Sequence, residues 1–336
     1  MNTPVSDDNS QSAPLGLTSS GSSRSGLSRS RKSLANASAD LVASDIPTVA
    51  VVEAGIGKRS NECDESAIKE DLSIVDGLHR TRLFGLDLVN APSLDPVISE
   101  ILGGSVCNGD SLPVVLTPNV DIVVQLDQSP GSPEVELFSR AQYCLPDGQP
   151  LVMVSRFLGE QIQARLPGSE LFQELWPRVV ADDIPAVVVA SSDKIAGMLE
   201  ARHPHASCVV PPMFDEDDTD AIADIVTDIL AACRAVRPSL IFVGIGNPKD
   251  ARIISALFDR WDPRLGQKPL CLGLGGSFSM HLGLKRRAPR IIQRVGMEWF
   301  YRFLQEPRRL FHRYFIRDMA FIGIVRREWR ASRPDN

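Results

Sequence analysis

Pro185–Val210 reads PAVVVASSDKIAGMLEARHPHASCVV. A short unbroken apolar run, Ala186–Ala190, leads into a helical pattern over Asp193–Arg202 and then into a second run, Cys208–Val210. A run that is apolar at every position has to be covered on both faces of a sheet, whereas a half-solvated strand alternates. The pattern extends in both directions. Further runs stand at Val114–Leu116, Leu151–Val154, Leu240–Val243 and Leu270–Leu272. Helical patterns stand at Leu94–Leu102, Pro133–Gln142, Ser169–Val179, Thr219–Ala235 and Pro248–Trp261. This order predicts an α/β fold, a Rossmann-like parallel sheet flanked by helices. Ligands of such sheets lie beyond the carboxyl ends of the strands, so the residues after each run are where chemistry is to be sought.

Outside that pattern the composition changes. Residues 1–78 include SSGSSRSGLSRSRKS and are poor in aromatics, too polar to offset the entropy of ordering. They are expected to form a disordered Ser-rich leader, followed by an α/β core over 79–290 and a basic amphipathic helical appendage over 291–336. Order is expected to begin near Arg82. Met1–Ser44 lacks the apolar stretch of a secretory signal, and no run is long enough to span a bilayer. The six cysteines show no CxxC spacing, so they read as reduced core residues, not as a zinc or redox site. A net charge of −6 argues against a general nucleic-acid binder. Lys285–Arg330 nevertheless carries 13 Lys/Arg against 4 Asp/Glu, a local electrostatic function on an acidic body.

Four strand-end segments stand out. Thr117-Pro118-Asn119 offers either a helix cap or two side chains that hydrogen-bond a ligand. Leu145-Pro146-Asp147-Gly148 reads as a turn, or as a carboxylate held at a sheet edge to act as general base. Gly244-Ile245-Gly246-Asn247-Pro248-Lys249 and Gly273-Leu274-Gly275-Gly276-Ser277-Phe278 are turns whose exposed N–H groups suit phosphate, with Lys249 adding charge. Neither meets the GxGxxG dinucleotide fingerprint, which disfavours a nicotinamide oxidoreductase. Asp215–Asp218 reads as a solvated helix cap and His203 and His205 as surface residues. In the tail, Arg302, Arg309, Arg313 and Arg317 fall on one side of a helical wheel and aromatic and aliphatic residues on the other. Such a helix either packs on a core or reads anionic headgroups and lipid diphosphate.

In order, these pieces are TPN, PDG with PLVMVSRFLG, GSELFQELWP, IFVGIGNPK, LGGSFSMHLGLKRRAP and GMEWFYRFLQEPRRLFHRY. Together they resemble the WecG/TagA/CpsF glycosyltransferases, glycosyltransferase family 26, over Phe84–Tyr314, and the last block is the most specific. The resemblance implies inverting, metal-independent transfer of a sugar from a UDP-sugar to a polyprenyl-diphosphate-linked acceptor in surface-polysaccharide synthesis. It implies no cofactor and a peripheral position on the cytoplasmic face of the membrane, held there by the basic helix. It makes Asp147 the general base, with Thr117 and Asn119 beside it. Arg302, Arg308, Arg309 and Arg313 would engage the acceptor diphosphate, while Gly244, Gly246, Lys249, Gly275 and Gly276 would receive the donor. No nucleic-acid partner is implied, and self-association into a homo-oligomer is left open. Three departures touch the nucleotide pocket. Lys249-Asp250-Ala251 replaces the usual KQE, Phe278-Ser279 replaces Phe-Asp, and Ala190-Ser191-Ser192 lacks the usual glycine pair. Asp250, Ala251 and Ser279 motivate an alternative, a catalytically weakened membrane-associated scaffold of a polysaccharide assembly complex.

Overall fold

The computed structural model describes residues 74–75, 77–104, 110–284, 301, 304, 307 and 319–331. The described residues open with β1 (Ile74–Val75), β2 (Leu78–Leu83) and β3 (Leu86–Val89), joined antiparallel. Then follow α1 (Asp95–Leu102), β4 (Leu112–Leu116), α2 (Val120–Gln128), α3 (Pro133–Arg140) and β5 (Ala141–Cys144). The middle comprises α4 (Gln149–Phe157), α5 (Gly168–Ala181), β6 (Ala186–Ala190), α6 (Asp193–Glu200), β7 (Ala206–Val209) and α7 (Thr219–Val236). The last part holds β8 (Leu240–Gly244), α8 (Lys249–Asp259), β9 (Leu270–Gly273), α9 (Ser277–His281) and α10 (Ala320–Ala331).

The strands form one sheet in the order β1-β2-β3-β5-β4-β9-β8-β6-β7, parallel from β3 onward. The unbroken apolar runs follow from two buried faces. Val187 and Val189 face one layer with α2, α3, α7 and α8; Ala186, Val188 and Ala190 face the other with α1, α5, α6 and α9. Caps set the helix starts: Ser192 accepts from the Ile195 N–H at 3.4 Å and Asp218 from the Ala221 N–H at 3.0 Å.

The Rossmann-like expectation holds, with three differences. The helical pattern read over Pro133–Gln142 ends at Arg140, and Ala141–Cys144 is a strand, β5. The antiparallel pairing begins ahead of Arg82, where the sequence predicts order to begin: β1 starts at Ile74 and β2 at Leu78, and Arg82 itself lies inside β2. Leu151–Val154 is not a strand but the middle of α4. Leu151 and Val152 are buried while Met153 is 62% exposed, the one-sided burial of a helix, and Pro150 sits in its first turn. The leader before residue 74 lies outside the described residues. At the hairpin tip Phe84 (φ 55°) and Gly85 (φ 72°) are both left-handed, as a two-residue turn between paired Leu83 and Leu86 requires. The Phe84 ring packs on Phe321 of α10 with centroids 5.2 Å apart. α10 is fixed further by an Arg327–Asp127 ion pair to α2.

Strand β9 lies between β4 and β8. The chain leaves β4 toward α2 on one face and leaves β9 toward α9 on the other, which opens a crevice at their carboxyl ends.

Candidate active site

Because Leu151–Val154 is helical, Asp147 follows β5 instead of preceding a strand. That places it on the same sheet edge as Thr117 and Asn119. Strand-like pairing continues past the strand ends: the Leu145 N–H bonds Leu116 O at 2.8 Å and the Asp147 N–H bonds Pro118 O at 3.0 Å. Gly148 closes the approach, since a Cβ there would meet Leu151 Cγ at 3.3 Å and Asn119 Cα at 3.6 Å. Asn119 caps α2, its Oδ1 accepting from the Ile122 N–H at 3.2 Å. Thr117 packs on the start of α5, where a Cβ on Gly168 would lie 3.0 Å from Thr117 Oγ1. The α4–α5 loop is held to the same rim by the Leu166 N–H to Pro146 O at 2.8 Å, and by Asn90, which bonds Gln161 O at 2.7 Å and the Gln163 N–H at 2.9 Å. Thr117, Asn119 and Asp147 are thus brought together at the mouth of the crevice, each half-buried.

The two glycine turns are also neighbours, on the paired strands β8 and β9. A Cβ on Gly275 (φ 56°) would lie 3.9 Å from Gly246 Cα. The glycines divide by role. Gly244 is bare because the Phe278 ring occupies its side-chain space, only 2.2 Å from where a Cβ would sit. Gly246 (φ 124°) and Gly276 face open space. The N–H groups that recommended these turns for phosphate are engaged from inside. Asp250, 3% exposed, accepts from Ile245 at 2.9 Å and Gly246 at 2.8 Å on Oδ1, and from Gly275 at 2.8 Å on Oδ2. Burial pushes its carboxyl up to about 6, against the pull of those three N–H groups. Lys249 turns toward the loop before α7, donating to Phe214 O and lying 4.4 Å over the Phe214 ring. On the other side of the β8 turn, Asn247 Nδ2 donates to Gln125 Oε1 at 3.3 Å, and Gln125 Nε2 to the buried Asp121 at 2.8 Å.

Asp250 is the residue that sequence reasoning passed over as a departure from a motif. Its signal was an acidic residue two positions after a proline, at the start of a helix beside a glycine turn. His203 corrects the expectation of a surface residue. It is 1% exposed, with Nε2 2.8 Å from Ile184 O and its ring edge-on to Trp176. His205 is exposed and pairs with Asp183 at 2.8 Å. Asp218 caps α7 and Asp217 pairs with Arg252 at 2.6 Å. Cys144, Cys233 and Cys271 are buried free thiols, and burial raises all three thiol pKa values.

A sequence model of the Glycosyl transferase WecG/TagA/CpsF family matches residues 81–335, spanning both the crevice and the tail. The chain belongs to that family. It is 29% identical over 221 residues to an N-acetylglucosaminyldiphosphoundecaprenol N-acetyl-beta-D-mannosaminyltransferase of Bacillus spizizenii, covering 65% of this chain and 80% of the relative. Proteins of the same name from Bacillus subtilis and Staphylococcus aureus share 29% over 175 residues and 26% over 182. These alignments cover 51% and 52% of this chain, and 64% and 66% of the relatives. The tail residues Arg302, Arg308, Arg309 and Arg313 lie outside the described residues. Among the described residues no helix is long and apolar enough to cross a membrane.

Proposed function

We propose that the chain is an inverting glycosyltransferase that moves a sugar from a UDP-sugar to a polyprenyl-diphosphate-linked acceptor in surface-polysaccharide synthesis. The observation that carries this reading is the place of Asp147, a half-buried carboxylate beside Thr117 and Asn119 at a crevice mouth. In the reaction Asp147 takes the proton of the acceptor hydroxyl. The hydroxyl oxygen bonds the anomeric carbon from the face opposite the leaving group. The bond from that carbon to the β-phosphate oxygen breaks, and UDP departs with the electron pair. A single displacement of this kind inverts the centre. Thr117 and Asn119 line the acceptor side. Gly246 and Gly276, which face open space, border the donor side. Arg302, Arg308, Arg309 and Arg313 hold the acceptor diphosphate through bidentate guanidinium contacts. The names of the relatives make N-acetylglucosaminyl-diphospho-undecaprenol the first acceptor to try and N-acetylmannosamine the first sugar.

A membrane-facing end is supported by exposed Met153 and Phe157 on α4, and by Met319 and Ile322 at the start of α10. Near Phe157, a cavity of about 250 Å³ is also lined by Val325, Arg326, Trp329 and Arg330. Apolar side chains rimmed by arginine suit the headgroup region of an anionic bilayer, consistent with peripheral attachment to its cytoplasmic face.

Asp147→Asn should lower transfer by at least about 100-fold while leaving the unfolding midpoint in place. Full activity in that variant would sink the base assignment. Transfer should also persist in EDTA, and its loss there would overturn the metal-independent reading. The scaffold reading draws on Asp250 and Lys249, both turned to internal partners. Calorimetric titration with UDP separates the two, because a scaffold needs no nucleotide.

A further inference from the structure

We propose that Asp250 is a positioning residue for the donor end of the cleft, a carboxylate staple that fixes the β8 turn against the β9 turn. The proposal rests on the glycosyltransferase reading above only for which substrate feels the effect. Strand pairing between β8 and β9 runs out at the Leu274 N–H to Val243 O bond of 2.9 Å. Beyond that point, Asp250 bridges the turns with one oxygen on Ile245 and Gly246 and the other on Gly275. On its far side the β8 turn is tied to α2 through Asn247 and Gln125. The two turns are therefore fixed relative to each other and to the helix that Asn119 caps.

The chemistry requires a carboxylate. All three partners are donors, and a carboxylate presents acceptors on both oxygens. An amide of the same shape presents one acceptor and one NH2, so it must set a donor against either Gly275 or the Ile245–Gly246 pair. The three N–H groups are committed to Asp250 and unavailable to donor phosphates. The turns thus give the donor a shape to fit, and the positive partners of its diphosphate come from elsewhere.

The test uses the full chain carrying Asp250→Asn. Amide exchange at Ile245, Gly246 and Gly275 reads the staple, and separate KM values for UDP-sugar and acceptor read its consequence. At least one of the three amides should exchange faster than in the wild type. Donor KM should rise about tenfold, the size expected for one charge-assisted hydrogen bond, with acceptor KM and kcat within about twofold. Unchanged exchange, an unchanged donor KM, or equal rises in both KM values would each overturn the proposal. If the variant does not fold, the wild type decides. Gly275, outside the β9 ladder, should be as protected as Ile245 and Gly246, and rapid exchange there overturns the staple. If the wild type transfers no sugar from any UDP donor, the proposed function fails while the exchange data still judge the staple.

Discussion

At the residue scale, Gly244 and Asp250 show how a glycine turn in a sheet edge can have internal reasons to exist. Gly244 leaves room for Phe278, which packs on Phe172 with ring centroids 4.6 Å apart. Gly244→Ala should therefore destabilise by about 1–3 kcal/mol through overpacking, seen as a lower urea midpoint, whether or not a ligand is present. Asp250 gives a pH signature. Burial raises its pKa from 3.8 to about 6, so the folded state holds this proton more tightly than the unfolded chain. Its contribution to stability is full below pH 4 and is lost as pH rises through about 6. The amount is about 3 kcal/mol. Asparagine does not titrate. Between pH 4 and pH 7 the stability of the wild type relative to Asp250→Asn should fall by about that amount in denaturant titrations, and a constant difference would refute the linkage.

At the scale of elements, Arg252 of α8 is a cross-link. It bonds Glu134 of α3 at 2.5 Å, Asp217 at 2.6 Å and the Glu216 carbonyl, joining two helices and a loop. Desolvation pushes the Glu134 pKa up, but its bonds to Arg252, to its own backbone N–H and to Ser132 outweigh this and hold it below the usual value. Arg252→Ala should cost about 2 kcal/mol at neutral pH by leaving a buried carboxylate uncompensated. The loss should shrink as pH falls through the pKa of Glu134, measured by unfolding at pH 7 and pH 3. How legible an element was depended on its punctuation. α6 and α7 announce themselves through Ser192 and Asp218 followed by apolar residues three and four apart. α4 does not. Four apolar residues in a row fit a strand or a helix, and the choice is made by tertiary contacts with Leu151 and Val152. That ambiguity hid the position of Asp147 after β5. Its chemistry was legible as a strand-end carboxylate, but its neighbours were not. The role of Asp250 was invisible because it depends on β9 lying beside β8, which no local pattern records.

For the molecule as a whole, the proposed membrane contact draws on two separate features, the basic composition of Lys285–Arg330 and the exposed apolar residues Met153, Phe157 and Ile322 on α4 and α10. Deleting the chain after Ala288 should release the protein from anionic vesicles in a flotation assay, and unchanged binding would refute a membrane role for the tail. The position of β9 carries a different consequence. Among the described strands, β1 to β5 form one block and β6, β7 and β8 another, and β9 alone hydrogen-bonds to both. Val114 must wait for Cys271 to be translated before it has its partner. Until Leu270–Gly273 leaves the ribosome, the nascent chain carries two half-sheets, each with a bare apolar edge on β4 or β8. Such edges recruit other chains. A product stopped before residue 270 should aggregate, whereas one extended through residue 284 should pellet far less in a cell-free synthesis. The strand that borders the candidate crevice is thus also the one whose late synthesis leaves both half-sheets unpaired.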